Sequence, residues 1–437
     1  METEFSEAKP LYSKAEAKLE ASRCLYCYDA PCTRACPTSI DVALFIRQIA
    51  VDNIKGSAKT ILSANMLGDS CAQVCPVEVL CAGACVFNHL NHSPIKIGRL
   101  QKYATHTALK DEASTGKKLF EPMPKTGKKV ALIGAGPASL SCAAHLALSG
   151  VDAVIFEAKG YPGGLNVAGI APYKLYTHDA LDETHWILDH GVTLHTNISI
   201  GKEISFDVLQ KDYDAIFIGI GLGHDRRVLK GDSSQGLWGA TELIRKLKTQ
   251  PGFSLPENLK RTLVIGGGNT SIDIARELAM LGTAGDVTMV YRRTEKEMPG
   301  YNHEMEGARK YGVNLIENLG PQSANFEYGK ITSVTFKPRH GGDEIIIDCD
   351  LVVEAIGQKK WSLSLGLDID LEQNGTIKVN PLTCETNLKN VYAGGDCING
   401  GKEVVNAVAD GKAAAFAMIS EFGIKGPHEV TRSNNYG

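Results

Sequence analysis

The sequence has no apolar run long enough to cross a membrane and no excess of positive charge. Its longest apolar runs are strand-length and broken by glycine, whereas a membrane-spanning helix needs about 20 residues. Lysine and arginine number 46 against 50 aspartate and glutamate, so the net charge of −4 offers no basic surface for nucleic acid or anionic lipid. The start METEFSEAKP lacks the basic and apolar regions of a signal peptide. We therefore expect a cytoplasmic protein that binds neither membrane nor nucleic acid.

A redox Cys-x-x-Cys pair is also missing from the last three hundred or so residues. The cysteines there stand alone, and we expect each to be a small packing residue: Cys142, Cys349, Cys384 and Cys397. The remaining cysteines lie in two packets near the start, CLYCYDAPCTRACP and CAQVCPVEVLCAGAC, and each packet contains a Cys-Pro step. This clustering is the first feature that the function must explain.

Three kinds of site can use such cysteines. Clustered cysteines with a Cys-Pro step resemble the bacterial ferredoxin pattern, and two iron–sulfur clusters need about eight ligands. By spacing alone all eight cysteines between Cys24 and Cys85 count as ligands. Structural zinc is the main alternative, because Cys24-x2-Cys27 is a common zinc half-site. Disulfides are disfavoured because disulfide frameworks belong mainly to small secreted chains.

The chain divides into parts with different hydrophobic periodicity. A length of 437 residues predicts two or three domains. Apolar residues recur at helical spacing in SKAEAKLEASRCLYC, IDVALFIRQIAVDNIKGSAKTIL and IGRLQKYATHTAL. After the polar linker KDEASTGKKLFEPMPKTGKK, short β-branched runs alternate with helical segments. This alternation predicts an α/β fold with a parallel sheet.

The first dinucleotide-binding fingerprint is Gly134-x-Gly136-x-x-Ser139, after a strand predicted at Val130–Ile133. Gly134 permits the tight turn, Gly136 lets the backbone approach a pyrophosphate, and Ser139 is small enough for close helix–strand packing. Glu157 ends the next predicted strand, where an acidic side chain suits a ribose hydroxyl. The motif predicts a bound dinucleotide.

Two further segments identify this dinucleotide as FAD. YPGGLNVAG contributes Gly164, beside Gly163, soon after the fingerprint. Far downstream, VYAGGDC contributes Gly395 and Asp396. It resembles the second flavin-contacting segment of flavoproteins with two dinucleotide domains, in which the aspartate binds the ribityl–phosphate portion. The order of the three segments predicts FAD.

A second fingerprint, Gly266-x-Gly268-x-x-Ser271, follows a strand predicted at Leu263–Ile265 and encloses Asn269 and Thr270. The next predicted strand ends in Tyr291-Arg292-Arg293 rather than in an acidic residue. Arginine at this offset suits the 2′-phosphate of NADPH, whereas an acid would suit the 2′-hydroxyl of NADH. We therefore expect NADPH, with NADH as the alternative.

The second fingerprint lies between two flavin segments, so one nucleotide-binding domain is inserted in the other, as in disulfide-reductase-like flavoproteins. The predicted fold is α/β, with a helical iron–sulfur domain followed by two nested Rossmann-like domains. The predicted boundaries are 1–127 for the helical domain, 128–228 with 355–437 for the FAD domain, and 229–354 for the NADP(H) domain.

The whole chain resembles the electron-input module shared by dihydropyrimidine dehydrogenases and the small subunit of bacterial glutamate synthase. The resemblance runs through SRCLYCYDAPC, CPVEVLCAGAC, PIKIGRLQKYA, GAGPAS, GGGNTSID, VYRRTEKEMPG and AGGDC. It implies two 4Fe-4S clusters with interleaved ligands: Cys24, Cys27, Cys32 and Cys85 for one, and Cys36, Cys75, Cys81 and Gln101 for the other. Cys71 then binds no iron. Gln101 and CLYCYDAPC favour the dihydropyrimidine branch, whereas VYRRTEKEMPG resembles the glutamate synthase branch.

The resemblance implies an electron relay without a catalytic side-chain acid or base. NADPH reduces FAD, and the electrons pass through the clusters to an FMN-containing dihydropyrimidine dehydrogenase catalytic subunit that reduces uracil or thymine. Too few residues follow Ala415 for the family's barrel domain, so we expect a hetero-oligomer. The alternatives are the glutamate synthase large subunit as partner and a stand-alone reductase for diffusible acceptors. A metal-binding scaffold with degenerate nucleotide loops is disfavoured because both loops are intact.

Overall fold

The computed structural model describes residues 5, 7–361 and 366–424, which form two compact units. The larger unit comprises Glu7–Asn166, His178–Leu222 and residues 360–424, and the smaller unit comprises Val167–Thr177, Gly223–Lys359 and Phe5. Parts of two predicted domains lie outside the described residues: 1–4 and 6 of the helical domain, and 362–365 and 425–437 of the FAD domain.

The N-terminal part of the larger unit is helical, as predicted. Its helices are α1 Lys14–Ser22, α2 Pro31–Arg34, α3 Val42–Ala50, α4 Ile54–Ala64, α5 Gly68–Val74 and α6 Ile97–Thr115, with a 3₁₀ turn at Val86–Leu90. The segment 40–62 reads as one periodic run but forms two helices. Asp52 adopts a left-handed φ of 66°, and the Asn53 side chain then caps α4 by accepting from the Gly56 N–H.

The larger unit also contains a five-stranded parallel sheet in the order β13-β4-β1-β2-β3. The strands are β1 Lys129–Ile133, β2 Asp152–Glu157, β3 Thr193–Thr196, β4 Ala215–Ile218 and β13 Val391–Ala393. The helices along this part of the chain are α7 Pro137–Leu148, α8 Gly164–Ala168, α9 Thr177–Leu188, α10 Phe206–Asp212, α14 Asp396–Asn399 and α15 Val404–Glu421. β1 and β4 are almost wholly buried, as expected for parallel strands covered on both faces.

The smaller unit has a second five-stranded parallel sheet, in the order β5-β12-β6-β7-β8. Its strands are β5 Leu237–Gly239, β6 Arg261–Ile265, β7 Asp286–Val290, β8 Asn314–Ile316 and β12 Leu351–Glu354, and its helices are α11 Ala240–Thr249, α12 Asn269–Leu281 and α13 Asn302–Arg309. Short 3₁₀ turns lie at Ser233–Gln235 and Glu295–Glu297. A three-stranded antiparallel sheet, which the sequence analysis did not predict, is formed by β9 Leu319–Glu327, β10 Lys330–Pro338 and β11 Ile345–Asp348.

The helical part and the first sheet share one hydrophobic core. Leu62 of α4 and Cys71 of α5 are buried together with Leu132 of β1, Leu140 of α7 and Val408 of α15. Helix α4 and the cysteine-bearing helix α5 therefore share a core with the parallel sheet of the larger unit. Among the helices of the described residues, none combines the length and apolar content needed to cross a bilayer.

Helices α7 and α15 approach each other most closely at Gly411. A Cβ atom there would lie 2.0 Å from the Ala138 carbonyl oxygen and 3.1 Å from the Cys142 nitrogen. Beside this contact, the Ser141 hydroxyl donates to the Val408 carbonyl over 2.8 Å. The two backbones can pack this closely only because residue 411 has no side chain.

We therefore predict that Gly411→Ala destabilises the larger unit by roughly 1–3 kcal/mol, the usual cost of overpacking a rigid core. Thermal denaturation followed by circular dichroism measures the change as a lower midpoint. Gly320→Ala is the control, because a Cβ at position 320 would lie 3.9 Å from its nearest neighbour, the Lys337 carbonyl oxygen. Equal midpoints for the two variants would contradict the packing argument.

Candidate functional site

The first glycine loop joins β1 to α7 at the carboxyl edge of the larger unit's sheet. Gly134 has a φ of +92°, and a Cβ there would lie 2.7 Å from the Gly219 carbonyl oxygen. Gly136 differs, because the nearest atom to a Cβ at that position, the same Gly219 oxygen, is 4.0 Å away. Gly134 is thus required by the turn, whereas Gly136 leaves space beside the backbone for a ligand.

The N-terminus of α7 has no side-chain cap. Gly136 occupies the N-cap position and Pro137 follows as the first helical residue. The first backbone N–H groups of the helix therefore point to this space without a capping oxygen, an arrangement that suits a phosphate. Ser139 is fully buried, and a Cβ at Gly219 would lie 2.1 Å from its hydroxyl oxygen, so α7 packs tightly on the sheet here.

Three other predicted flavin residues lie at the same edge. The Glu157 carboxylate accepts from the Ala135 N–H over 2.8 Å, which places it directly beside the first glycine loop. A Cβ at Gly164 would lie 2.8 Å from the Gly136 Cα, and one at Gly395 would lie 3.0 Å from the Ala138 Cβ. The fold therefore brings together segments that are about 260 residues apart in sequence.

Asp396 follows Gly395 at the end of β13. Burial raises the pKa of Asp396 to about 6, and the hydrogen bond that its carboxylate accepts from the Lys402 N–H over 3.4 Å opposes this only in part. Sequence analysis missed Asp410 of α15, whose carboxylate accepts from the Gly395 N–H over 3.0 Å and from the Asn399 amide over 3.2 Å. The run ADGKAAA after VYAGGDC was the available signal for it.

The second glycine loop, in the smaller unit, repeats the geometry of the first. Gly266 has a φ of +152°, and a Cβ there would lie 2.4 Å from the Ala355 carbonyl oxygen. A Cβ at Gly268 would meet nothing within 4 Å, and Gly268 is the uncapped N-cap of α12. The loop therefore offers the same open, uncapped helix end to a second dinucleotide.

The side chains around this second loop hold it in place. The Ser271 hydroxyl donates to the Gly268 carbonyl over 2.6 Å, and the Asn269 side-chain oxygen accepts from the Tyr301 N–H over 2.9 Å. Thr270 is exposed at the start of α12. Asn269 thus has a structural partner within the smaller unit, while Thr270 faces solvent.

Arg292 and Arg293 lie just after β7, which ends at Val290. Arg292 is exposed and Arg293 is half-buried. Within the described part of the chain, neither guanidinium forms an ion pair or a hydrogen bond. Both cations are therefore available to an anionic group that approaches the carboxyl edge of this sheet.

Four predicted iron ligands line one cavity in the helical part of the larger unit: Cys24, Cys27, Cys32 and Cys85. The remaining lining residues are apolar, and they include Ile46, Phe87 and Ile97. Burial raises the pKa of the Cys24 thiol, and it raises the pKa of Cys32 to about 11. Thiolates at this position therefore need a positive centre, as iron supplies.

A second cavity is lined by the other predicted ligands: Cys36, Cys75, Cys81 and Gln101. Cys71 also lines it, so the structure gathers five candidate ligands rather than four. A hydrogen bond with the Cys71 thiol and burial raise the pKa of Cys75 well above its usual value, and burial raises that of Cys81.

Gln101 is suited to act as a ligand through oxygen. Its amide nitrogen donates to the Gly68 carbonyl over 2.7 Å, which fixes the orientation of the amide group. Within the described residues, the Gln101 side-chain oxygen makes no hydrogen bond, and the side chain lines the second cavity.

No three His, Cys, Asp or Glu side chains of the described chain converge on one point as ligands of a single ion would.

Two protein families match parts of the chain. Residues 1–113 match the family "dihydropyrimidine dehydrogenase domain II, 4Fe-4S cluster", and residues 128–411 match the family "pyridine nucleotide-disulphide oxidoreductase". The first match contains both cysteine cavities, and the second contains both glycine loops.

Relatives match nearly the whole chain. It is 36% identical over 416 residues to the NAD-dependent dihydropyrimidine dehydrogenase subunit PreT of Escherichia coli O157:H7, covering 95% of this chain and 96% of that one. It is 30% identical over 447 residues to the glutamate synthase [NADPH] small chain of Escherichia coli strain K12, covering 95% and 94%.

The fold agrees with a solved structure. The thioredoxin reductase of T. acidophilum matches with a TM-score of 0.55 and 22% identity, over 67% of this chain and 99% of that one. This match confirms the predicted layout of Rossmann-like sheets. The chain therefore belongs to the pyridine nucleotide-disulphide oxidoreductase family, as a member with an N-terminal 4Fe-4S domain, and is an NAD(P)H-dependent flavin and iron–sulfur oxidoreductase.

Proposed function

We propose that this chain is the electron-input subunit of a heteromeric dihydropyrimidine dehydrogenase. It takes electrons from NADPH and passes them through FAD and two 4Fe-4S clusters to an FMN-containing partner that reduces uracil or thymine. The observation that carries this proposal is the presence, in one chain, of two cysteine-lined cavities and two open glycine loops. The cofactors supply the redox chemistry, and the protein binds, orients and separates them.

The remaining cysteines favour the clusters as the exit route for electrons. Cys142, Cys349, Cys384 and Cys397 are buried. Burial raises the pKa of Cys142 well above its usual value and raises that of the other three to about 12. Thiols held protonated in this way are poor nucleophiles for disulfide exchange. The family's usual dithiol route therefore has no candidate among these residues.

For the two clusters we propose the ligand sets inferred from the family. One cluster binds Cys24, Cys27, Cys32 and Cys85, and the other binds Cys36, Cys75, Cys81 and Gln101. Each set lines a single cavity. The tethered amide of Gln101 supports its choice over Cys71 as the fourth ligand of the second cluster.

The flavin and nicotinamide sites follow the two loops. We propose that FAD binds at Gly134, Gly136, Ser139, Glu157, Gly164, Gly395 and Asp396. We propose that NADPH binds at Gly266, Gly268, Asn269, Thr270, Arg292 and Arg293. The three-part division at residues 127, 228 and 354 stays a prediction.

Glutamate synthase is the second candidate, with this chain as its small subunit. It is supported by the relative named glutamate synthase [NADPH] small chain and by the arginines after β7, which suit NADPH. The dihydropyrimidine dehydrogenase relative is the more similar of the two, at 36% against 30% identity.

We also propose a cytoplasmic location. None of the twelve cysteines forms a disulfide, and a reducing compartment keeps thiols in this state.

The ligands of the second cluster can be tested by iron content. The wild-type chain is expected to hold about eight irons, and Cys81→Ala about four. We expect Cys71→Ala to keep the wild-type iron content and Gln101→Ala to alter the spectrum of one cluster while FAD stays bound. Loss of a cluster in Cys71→Ala together with a wild-type spectrum in Gln101→Ala would make Cys71 the fourth ligand.

The choice between NADPH and NADH can be tested at Arg292. Arg292→Ala is expected to weaken the binding of NADPH by roughly ten- to a hundredfold, because a charge-assisted hydrogen bond contributes about 1.5–3 kcal/mol. NADH, which lacks the 2′-phosphate, is expected to change little. The measurement is KM for both nucleotides with ferricyanide as acceptor. Arg261→Ala is the control, because Arg261 begins β6, at the end of the strand away from the glycine loop. Equal weakening of NADPH and NADH binding by Arg292→Ala would contradict the assignment.

The partner can be identified by an anaerobic pull-down of the chain from its native cells, assayed for NADPH oxidation. We expect an FMN-containing protein and oxidation that depends on uracil. Recovery of a large amidotransferase with glutamate formation would instead support glutamate synthase. Turnover of artificial acceptors alone, with no protein recovered, would support a stand-alone reductase.

A further inference from the structure

Two lysines from opposite ends of the chain anchor the backbone that carries the second cavity's cysteines. Lys412 of α15 donates to the Thr38 carbonyl over 2.9 Å and to the Ala64 carbonyl over 3.0 Å. Lys9 donates to the Cys75 carbonyl over 2.8 Å and to the Ala72 carbonyl over 3.4 Å. The Lys412 ammonium group therefore lies beside the segment that carries Cys36, and the Lys9 ammonium group lies beside the segment that carries Cys71 and Cys75.

The charges of both lysines act on the cysteines of this cavity. Burial lowers the pKa of Lys412, and the charge of Cys36 raises it. The charge of Lys9 lowers the pKa of Cys75 and of Cys81 against the larger effect of burial. Glu403 acts on Cys75 in the opposite direction, with a smaller effect than Lys9. Lys9 and Lys412 are thus cations whose charges act on this cavity, and the charges of its own cysteines and of Glu403 oppose them.

The first cavity has a different electrostatic environment. Beyond burial, the charges that raise the pKa of Cys24 are those of Cys27 and Cys85, and those that raise the pKa of Cys32 are those of Cys24 and Cys85. Among the residues that the structure describes, lysine and arginine are absent from the lining of both cavities, so the difference between them lies in the hydrogen bonds that Lys9 and Lys412 donate to backbone beside the second one. A cation effect should therefore be confined to the second cavity.

We propose that Lys9 and Lys412 are positioning residues that raise the reduction potential of the iron–sulfur centre held by Cys36, Cys75 and Cys81. Reduction of that centre adds one electron and breaks no bond, so its reduced form carries one more negative charge. A nearby cation stabilises this form, and the effect is strong in a partly buried site of low dielectric. The inference rests on the proposed placement of a cluster in this cavity.

The position of Lys412 connects this effect to the flavin segment. Its helix, α15, also carries Asp410, whose carboxylate binds the Gly395 N–H of the predicted flavin loop. One helix thus provides Asp410, which accepts a hydrogen bond from the predicted flavin loop, and Lys412, which donates to the backbone beside the second cavity. The lysine aids electron entry into the relay by favouring the reduced cluster.

The test uses the full chain with its clusters reconstituted, titrated anaerobically with dithionite and followed by electron paramagnetic resonance. Lys412→Met and Lys9→Met are expected to shift the midpoint potential of one centre to a more negative value. The other centre and the flavin are expected to be unchanged. Lys412→Arg should restore the wild-type midpoint, because arginine keeps the charge. Lys110→Met, at an exposed position on α6, is the control.

Each outcome decides the inference. Unchanged midpoints in both methionine variants with full iron content would overturn it, and so would loss of iron from both, which would indicate a purely structural role. If only one of the two methionine variants loses iron, the midpoint potential of the other decides: a more negative value supports the inference, and an unchanged value overturns it. A wild-type chain without iron would refute the proposed function, whereas two wild-type centres with insensitive potentials would refute this inference alone.

Discussion

The contact between α7 and α15 at Gly411 is the constraint on which the flavin site depends. With a Cβ at position 411 only 2.0 Å from the Ala138 carbonyl oxygen, no larger residue fits without moving one helix. The contact sets the distance between the loop that begins α7 and the loop that precedes α15. It therefore places Gly395 against Ala138 and lets Asp410 reach the Gly395 N–H.

The same helix extends this order to the iron–sulfur region. Lys412 follows Asp410 by two residues and binds the carbonyl groups of Thr38 and Ala64, which adjoin lining residues of the second cysteine cavity. Helix α4 and the cysteine-bearing helix α5 in turn share their core with β1 and α7. The second cysteine cavity and the first glycine loop thus adjoin one packed core, in which a shift of one helix would disturb both candidate sites together.

The cysteines that line the two cavities and the single cysteines lie in different surroundings. In both cavities, low solvent access disfavours a bare thiolate, a cost that a bound positive centre would offset. Cys142 and Cys397 are also buried but lie outside the two cavities, and their thiols stay protonated. Burial raises the pKa of both groups of thiols, so it is their grouping around two cavities that distinguishes the clustered cysteines as candidate ligands from the single ones.

The sequence predicted much of the local structure because its signals are local. The helical periodicity, the strands before both glycine loops and the alternation of strand and helix all agree with the structure. The break at Asp52 was missed, because a two-residue turn with a left-handed φ does not interrupt the apolar pattern. The sheet of β9 to β11 was also missed: β9 contains many exposed polar residues, and the apolar run Ile345–Ile347 in β11 was not recognised as a strand.

By itself, the sequence determined the chemistry available to this protein: clustered cysteines, two glycine loops and arginines where an acid is common. These signals reside in residue types at short spacing, which one-dimensional patterns record. Only the tertiary structure decided which residues meet. The entry of Cys71 into the second cavity beside Gln101, and the reach of Asp410 and Lys412 to their partners, depend on packing between segments far apart in the chain. Contacts of that range leave no periodic trace in sequence.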